Sequence, residues 1–251
     1  SYLVISMSIR VFQVINDEKE TWNQFVKNNP YSTPYHEWEY GAALSSTYGY
    51  ERYYLIAKYK NRIVGVLPLI LVQSIIWGNR LISMPFCEYG GPLIDEKFSS
   101  SLLITKLFKK TIEIASDLNV EYIEIRNPLC KYLPLLEKIG FHTCRKYITF
   151  KINLTPSKKV LWRSLNKKTR NAIRKAKKSG IKVEFCDSSY LDEYYEMVKE
   201  VSQRGSIVPL PKEFMKEVLD SQIGKLLLAF YKDKPVAGGI FLTFKNTITY
   251  W

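Results

Sequence analysis

The sequence predicts an α/β protein that contains two copies of one structural unit, the second of them shorter than the first. Three observations carry this prediction. The composition is that of a globular protein, the residue pattern repeats at an offset of 172 positions, and each copy reads as strand, helix, helix, strand, strand. An order in which strands and amphipathic helices alternate is how an α/β unit begins.

Composition and length exclude several classes of protein. The chain has 251 residues, of which 46% are hydrophobic and 24% are charged, so collagen, a disordered tail and a membrane bundle do not fit. The longest apolar run, 63–77, is interrupted by Pro68 and is shorter than the ~20 residues that span a bilayer. Two histidines and four cysteines without a CxxC pair argue against a zinc site or a disulfide framework. We expect reduced cysteines, no metal site and a cytoplasmic protein, since we recognise no secretory signal pattern.

The first copy opens with a strand over 8–15 and an amphipathic helix over 17–28. A loop with prolines leads to a second helix over 36–46. A hairpin then turns at Lys60 and Asn61. These elements give the strand, helix, helix, strand, strand order of the unit.

The second copy repeats that order 172 residues later. Its strand is predicted over 180–187, its helices over 189–203 and 212–220, and its hairpin turn at Lys232 and Asp233. The register holds without a gap from residue 8 to about 72 of the first copy. Identities between the copies are few, so the repeat is a shared structural pattern rather than a recent duplication.

The first copy continues beyond its hairpin, with predicted helices over 98–119 and 132–139 and strands over 121–126 and 141–154. This continuation takes 81 residues, whereas the second copy has 7 residues left, so we expect the second unit to be truncated by about 74. The predicted domains are a first unit, a basic junction segment and the first half of a second unit: 8–153, 154–179 and 180–251.

Positive charge is concentrated in one segment. The net charge is +13, and the segment 158–182 contains eleven basic residues and no acidic one. We predict a single helix over 156–179, begun by Ser157 and ended by Gly180, with Leu161 and Ile173 on its apolar face. A local patch of one sign indicates an anionic partner such as phosphates, a diphosphate or an anionic membrane surface. The alternative is a solvated helix face. The segment joins the two units, where binding clefts are common.

Short segments in both halves resemble one family. In the first half they are 34–36 (PYH), 65–69 (GVLPL) and 84–93 (MPFCEYGGPL). In the second half they are 161–165 (LWRSL), 168–176 (KTRNAIRKA), Arg204-Gly205 followed by Pro209, and the strand that ends at Tyr250-Trp251. With these residues the chain resembles the FemAB-type, methicillin-resistance-like transferases, which consist of two GNAT-like (acetyltransferase-like) domains.

The resemblance implies a function. It implies two tandem GNAT-like units that transfer an acyl or aminoacyl group to an amine of a cell-envelope precursor such as a peptidoglycan precursor. The acyl donor would be aminoacyl-tRNA or acyl-CoA, with no permanently bound cofactor. The partners would be an anionic or nucleotide-linked substrate and tRNA. Apart from the resemblance, we expect a cytoplasmic protein whose basic segment makes weak contact with the inner face of the membrane. The acyl-donor region would follow the strand that ends at Trp251.

Aminolysis needs a neutral amine, donors for the developing oxyanion and a route for the leaving proton. No serine, histidine and aspartate arrangement is evident, which favours direct transfer without a covalent intermediate. Glu88 is the candidate base, although a surface acid in a turn is the plainer interpretation. The first-half candidates for substrate binding, each also readable as a turn or packing residue, are His36, Trp38, Gly90 and Gly91.

Basic residues are the stronger candidates for substrate binding. Arginine binds phosphate through two parallel hydrogen bonds, and lysine acts as a point charge. The candidates are Arg170, Arg174, Lys175 and Lys178 of the basic segment and Arg204, which also suits the end of a helix. Two other functions remain open: a CoA-dependent GNAT N-acetyltransferase, and a nucleic-acid-binding module that uses the basic helix.

Overall fold

The structure is a computed structural model that describes residues 8–15, 18–76, 78–98, 100–126, 132–144 and 149–251. In this part of the chain there are eight α-helices: α1 Lys19–Asn28, α2 Trp38–Tyr48, α3 Ser100–Asp117, α4 Leu133–Lys138, α5 Lys158–Ser164, α6 Lys167–Lys178, α7 Leu191–Gly205 and α8 Lys212–Asp220. The strands are β1 Ile9–Gln13, β2 Glu51–Arg52, β3 Leu55–Tyr59, β4 Arg62–Leu67, β5 Ile70–Val72, β6 Arg80–Ile82, β7 Leu93–Ile94, β8 Tyr122–Glu124, β9 Lys182–Cys186, β10 Gly224–Tyr231, β11 Lys234–Phe244 and β12 Thr247–Tyr250.

Contacts group the chain into two compact units, each made of several segments. Unit 1 comprises Ser1–His142, Leu210–Gly224 and Leu242–Thr249. Unit 2 comprises Thr143–Pro209, Lys225–Phe241 and Tyr250–Trp251. The predicted boundaries at 153 and 179 stay a prediction.

The described residues of unit 1 form two four-stranded sheets. The first has the order β1-β3-β4-β7 and is antiparallel throughout. The second has the order β2-β5-β6-β8, in which only the β6–β8 pair is parallel. Helix α3 packs on β1, β3 and β4 through its apolar stripe, which includes Leu103, Leu107 and Phe108. These side chains are fully buried, as a 3.6-residue period on one face requires.

Helices α1 and α2 of unit 1 enclose an aromatic cluster. The Trp22 and Tyr54 rings stack with centroids 4.6 Å apart, and Trp38 meets both edge-on. Helix α2 ends at Gly49, whose φ of 69° is the left-handed conformation that closes many helices. Helix α8 packs against α2, and the Phe214 ring lies 5.7 Å from Tyr40. Aromatic packing thus fixes the start of α2, where the site described below begins.

Unit 2 contains helices α5–α7 and the antiparallel pair of β9 with β10. Strands β9–β12 form a sheet of the order β12-β11-β10-β9. Leu191 and Tyr194 of α7 and Leu226 and Leu228 of β10 are buried. Helices α5 and α6 bury no residue.

The 172-residue repeat is confirmed in the geometry. In the first copy Arg10 of β1 pairs with Lys58 of β3. In the second copy the residues 172 positions later, Lys182 and Phe230, pair in the same way. The hairpin turns also agree, since Lys60 and Lys232 are both left-handed, with φ of 49° and 48°. The two copies therefore share strand register and turn conformation, and the predicted α/β class with tandem units is confirmed.

Two predicted elements are wrong. The single helix over 156–179 is broken between α5 and α6, because Leu165 is extended and Asn166 starts a new helix. The Asn166 side chain accepts a 2.8 Å hydrogen bond from the backbone N–H of Thr169, which is a typical N-cap. The predicted strands over 141–154 are also not found at 141–144 and 149–154, while 145–148 lie outside the described residues.

Candidate functional site

The loop after β6 in unit 1, residues 83–91, contains unusual backbone. Met84 and Phe86 are left-handed, with φ of 56° and 57°, which costs free energy for residues with a side chain. The Tyr40 hydroxyl donates a 2.9 Å hydrogen bond to the carbonyl of Phe86. Arg126 donates from Nη1 to the carbonyl of Cys87 at 2.6 Å. Neighbouring elements therefore hold this strained loop, the 83–91 loop, in one conformation.

His36 connects the start of α2 to the same loop. Its ring is buried, and Nε2 lies 2.9 Å from the carbonyl oxygen of Gly91. The other nitrogen, Nδ1, accepts from the backbone N–H of Thr33 at 3.2 Å. Burial lowers the pKa of His36 to about 4, so at neutral pH the ring is uncharged and Nε2 donates to Gly91. His36 and Gly91, both predicted site residues, are thus brought together.

Glu88 is exposed at the surface of the 83–91 loop. The hydroxyl of Tyr35 donates to its carboxylate at 2.8 Å. Tyr35 is buried, and burial together with the Glu88 charge raises the pKa of its hydroxyl well above the ordinary range. Tyr35 therefore stays protonated and orients the carboxylate. An exposed, oriented carboxylate can accept a proton from an amine.

Gly90 and Trp38 have different surroundings. A Cβ at Gly90 would lie 2.5 Å from the carbonyl oxygen of Ser83, so only glycine fits. The backbone N–H of Gly90 donates a 3.0 Å hydrogen bond to the backbone carbonyl of Arg126. Trp38 lies instead in the aromatic cluster, with the Arg52 guanidinium 4.6 Å from its ring centroid. The 83–91 loop and its supports thus include three of the predicted residues, His36, Gly90 and Gly91, together with Glu88.

The predicted basic residues lie in unit 2. Arg170 donates from Nη1 to the carbonyls of Leu165 and Arg163, the latter at 3.0 Å, and so satisfies the end of α5. The guanidinium of Arg174 lies 5.4 Å from the ring centroid of Trp162. Lys175 and Lys178 are exposed on α6.

Arg204, the last of the predicted basic residues, pairs with Glu200 one turn earlier in α7 at 3.1 Å. Both side chains of this pair are largely exposed. Such pairs contribute little to stability. Substrate binding by the residues predicted from the sequence stays a prediction.

Sequence reasoning missed a cleft in unit 1, here called the Glu37 cleft. Its volume is about 520 Å³, and its lining includes Asn23, Lys27, Glu37, Glu39, Gln222 and Lys245. Glu37 is only 9% exposed. Burial, and to a lesser extent the Glu39 charge, raises the pKa of Glu37 to about 7, while Lys27 opposes the shift. The sequence shows only that Glu37 directly follows His36. Nothing in the neighbouring residues indicates that the Glu37 side chain is buried.

The comparisons with known proteins agree with the sequence resemblance. Residues 136–230 match the model of the FemAB family, the transferase family that both halves of the sequence resemble. The crystal structure of FemX matches with a TM-score of 0.60 at 16% identity, over 88% of this chain and 58% of FemX. The chain therefore has the FemX fold over most of its length and spans a little more than half of FemX.

Smaller proteins also match. A GNAT family acetyltransferase of Staphylococcus aureus matches at 17% identity and a TM-score of 0.39, over 58% of this chain and 100% of that one. An aminoglycoside acetyltransferase from an uncultured soil metagenomic sample matches at 13% identity and a TM-score of 0.41, over 60% of this chain and 99% of that one. No curated protein matches the sequence.

Neither a membrane-spanning helix nor a metal-binding cluster is present among the described residues. No helix there is long and apolar enough to cross a bilayer. No three histidine, cysteine, aspartate or glutamate side chains there come close enough together to hold a metal ion.

Proposed function

We propose that this chain is part of an acyltransferase that moves an aminoacyl or acyl group onto an amine by direct aminolysis. The observation that carries the proposal is the FemAB-family match over 136–230 in a chain with the FemX fold. The proposed acceptor is an amine of a cell-envelope precursor, and the proposed donor is aminoacyl-tRNA or acyl-CoA. The reaction would take place in the cytoplasm, with weak peripheral contact at the inner face of the membrane.

In this proposal Glu88 accepts the proton that the attacking amine loses. Its support is geometric, since the carboxylate is exposed and held by the Tyr35 hydroxyl at 2.8 Å. The strained backbone of the 83–91 loop also favours a functional role, because left-handed non-glycine residues cluster at such sites. The amine attacks the acyl carbonyl and forms the amide bond, while the ester bond to tRNA or the thioester bond to CoA breaks. The tRNA or CoA leaves with the electron pair of that bond, and the proton of the amine passes to Glu88.

The test is transfer to an amine by the full protein that contains this sequence, with aminoacyl-tRNA and acetyl-CoA compared as donors. Glu88→Gln keeps the size of the side chain and removes the base, so the rate constant for transfer should fall by about 10²-fold or more. Glu20→Gln, an exposed acid of α1, is the matched control. Unchanged transfer by the Glu88 variant contradicts its role as base, and transfer from neither donor contradicts the function itself.

The basic residues of α6 are proposed to bind the anionic part of a substrate. Lys175 and Lys178 are exposed and make a cleaner test than Arg170, whose loss would also release the end of α5. Replacing both lysines with glutamine should raise KM several-fold and leave kcat within a factor of two, since it removes binding common to ground and transition states. Lys109→Gln on α3 is the control. An unchanged KM would contradict this assignment.

Nucleic-acid binding by α5 and α6 is a second candidate function. It is favoured by the aromatic ring of Trp162 beside Arg174, because bases stack on aromatic and guanidinium planes. Binding of a single-stranded oligonucleotide should weaken with salt, at a slope of roughly −0.7 per phosphate contact in a plot of log affinity against log salt. A flat salt response would exclude this function.

A further inference from the structure

Charged groups of both signs line the Glu37 cleft of unit 1. Glu37 and Glu39 come from the start of α2, and Lys27 from the last turn of α1. Lys245 comes from the turn between β11 and β12, on a separate part of the chain. The cleft volume of about 520 Å³ lies within the range of small-molecule sites.

The Glu37 carboxylate has no partner that explains its burial. Within the described part of the chain it makes no hydrogen bond and no ion pair, although the residue is 9% exposed. Glu39 differs, because Lys19 pairs with it at 2.9 Å and Asn23 donates to it at 2.9 Å. The Glu37 oxygens are not among the fully enclosed polar atoms that lack a partner, so they reach the open space of the cleft. Glu37 therefore offers an unused acceptor for a donor that enters the cleft.

Lys245 is held in place at the same cleft. Its ammonium donates to the carbonyl of Asn29 and to the hydroxyl of Ser32, the latter at 2.7 Å. The backbone of Lys245 is left-handed, with φ of 52°, and so is that of Gln222, with φ of 69°. A left-handed residue is usual in a hairpin turn such as the one between β11 and β12, so the turn itself places Lys245 at the cleft.

We propose that the Glu37 cleft binds a small zwitterion that carries a free primary ammonium and a carboxylate, as amino acids and short peptides do. Glu37 binds the ammonium, and Lys245 with Lys27 binds the carboxylate. Gln222 also lines the cleft between the charges, whereas the Asn23 amide is already hydrogen-bonded to Glu39 and to the backbone N–H of Trp38. The proposal rests on the cleft alone and does not depend on acyl transfer.

The experiment is calorimetric titration of the full protein with glycine and with glycylglycine. The tighter of the two identifies the ligand as an amino acid or a peptide. N-acetylglycylglycine, which lacks the ammonium, and glycylglycinamide, which lacks the carboxylate, should each bind at least 10-fold more weakly than glycylglycine. Equal binding of all three dipeptide ligands, or no binding of either zwitterion at about 10 mM, would overturn the proposal.

Variants test which residues carry the binding. Glu37→Gln should weaken glycylglycine binding at least 10-fold, whereas the Glu20→Gln control on the exposed face of α1 should bind as the parent protein does. Lys245→Met should have an effect as large as that of Glu37→Gln. Should the lysine variant fail to fold, the two charge-deleted ligands still decide the question on the parent protein. Unchanged affinity in the folded Glu37 variant would refute the assignment.

Discussion

Replacing Glu37 with glutamine should stabilise the protein at alkaline pH and leave it nearly unchanged at pH 4. In the folded state burial raises the pKa of Glu37 from its ordinary 4.5 to about 7. A carboxyl group with a raised pKa favours the folded state when protonated. The free energy of unfolding therefore decreases as the pH rises from 4.5 to 7, and the loss is complete above 7.

The size of the effect follows from the two pKa values. A pKa difference between 4.5 and about 7 corresponds to about 3 kcal/mol, at 1.36 kcal/mol for each pH unit. Glutamine has nearly the same volume and no charge, so it removes this cost at pH 8. For a protein of this length about 3 kcal/mol corresponds to a rise in Tm of roughly 6–12 °C.

The assay is thermal and urea unfolding of the parent, Glu37→Gln and Glu20→Gln proteins at pH 4 and pH 8. We expect the stabilisation by Glu37→Gln to be at least 1 kcal/mol larger at pH 8 than at pH 4. Glu20 is exposed, so the control should show no such difference between the two pH values. An equal effect of Glu37→Gln at both pH values would refute the inference that this carboxylate is desolvated.

Three further predictions concern His36, Gly90 and the break between α5 and α6. In the Glu37→Gln protein, the free energy of unfolding should decrease by up to about 3 kcal/mol as the pH falls from 6.5 to 4, because burial lowers the pKa of His36 to about 4. Urea unfolding measures this free energy, and a value that does not change with pH contradicts the prediction. Gly90→Ala should destabilise by about 1–3 kcal/mol, because its Cβ would lie 2.5 Å from the Ser83 carbonyl oxygen; an unchanged Tm would argue against that close contact. Asn166→Ala should cost about 1 kcal/mol and lower the helical circular dichroism signal, and an unchanged spectrum would exclude the cap.

The sequence alone determined the repeat, because the same local patterns of helical period and turn residues occur in both copies. The helical period of 19–28 and 191–205, and the polar turns at Lys60 and Lys232, depend only on residues close in the chain. The equal strand register of the two copies follows from these signals, since turn position and hydrophobic alternation set the pairing of a hairpin. The family resemblance also came from short contiguous segments.

The sequence contains a signal that could have predicted the break in the basic helix. Asparagine is among the preferred N-cap residues, and the side chain of Asn166 accepts a hydrogen bond from the backbone N–H of Thr169, three residues later. The long basic run concealed this signal, because charge continued across the break and the apolar spacing fitted one helix. The extended backbone of Leu165 places its side chain off any continuous helical face.

Only the tertiary structure decided which residues meet and which are buried. His36 meets Gly91 across 55 residues of sequence, and Lys245 reaches Asn29 across 216. Such pairs have no local signature, since each residue alone is an ordinary polar side chain. The burial of Glu37 has the same origin. Its raised pKa comes from elements that pack around it from distant parts of the chain, and desolvation is a property of that surrounding volume rather than of the residue.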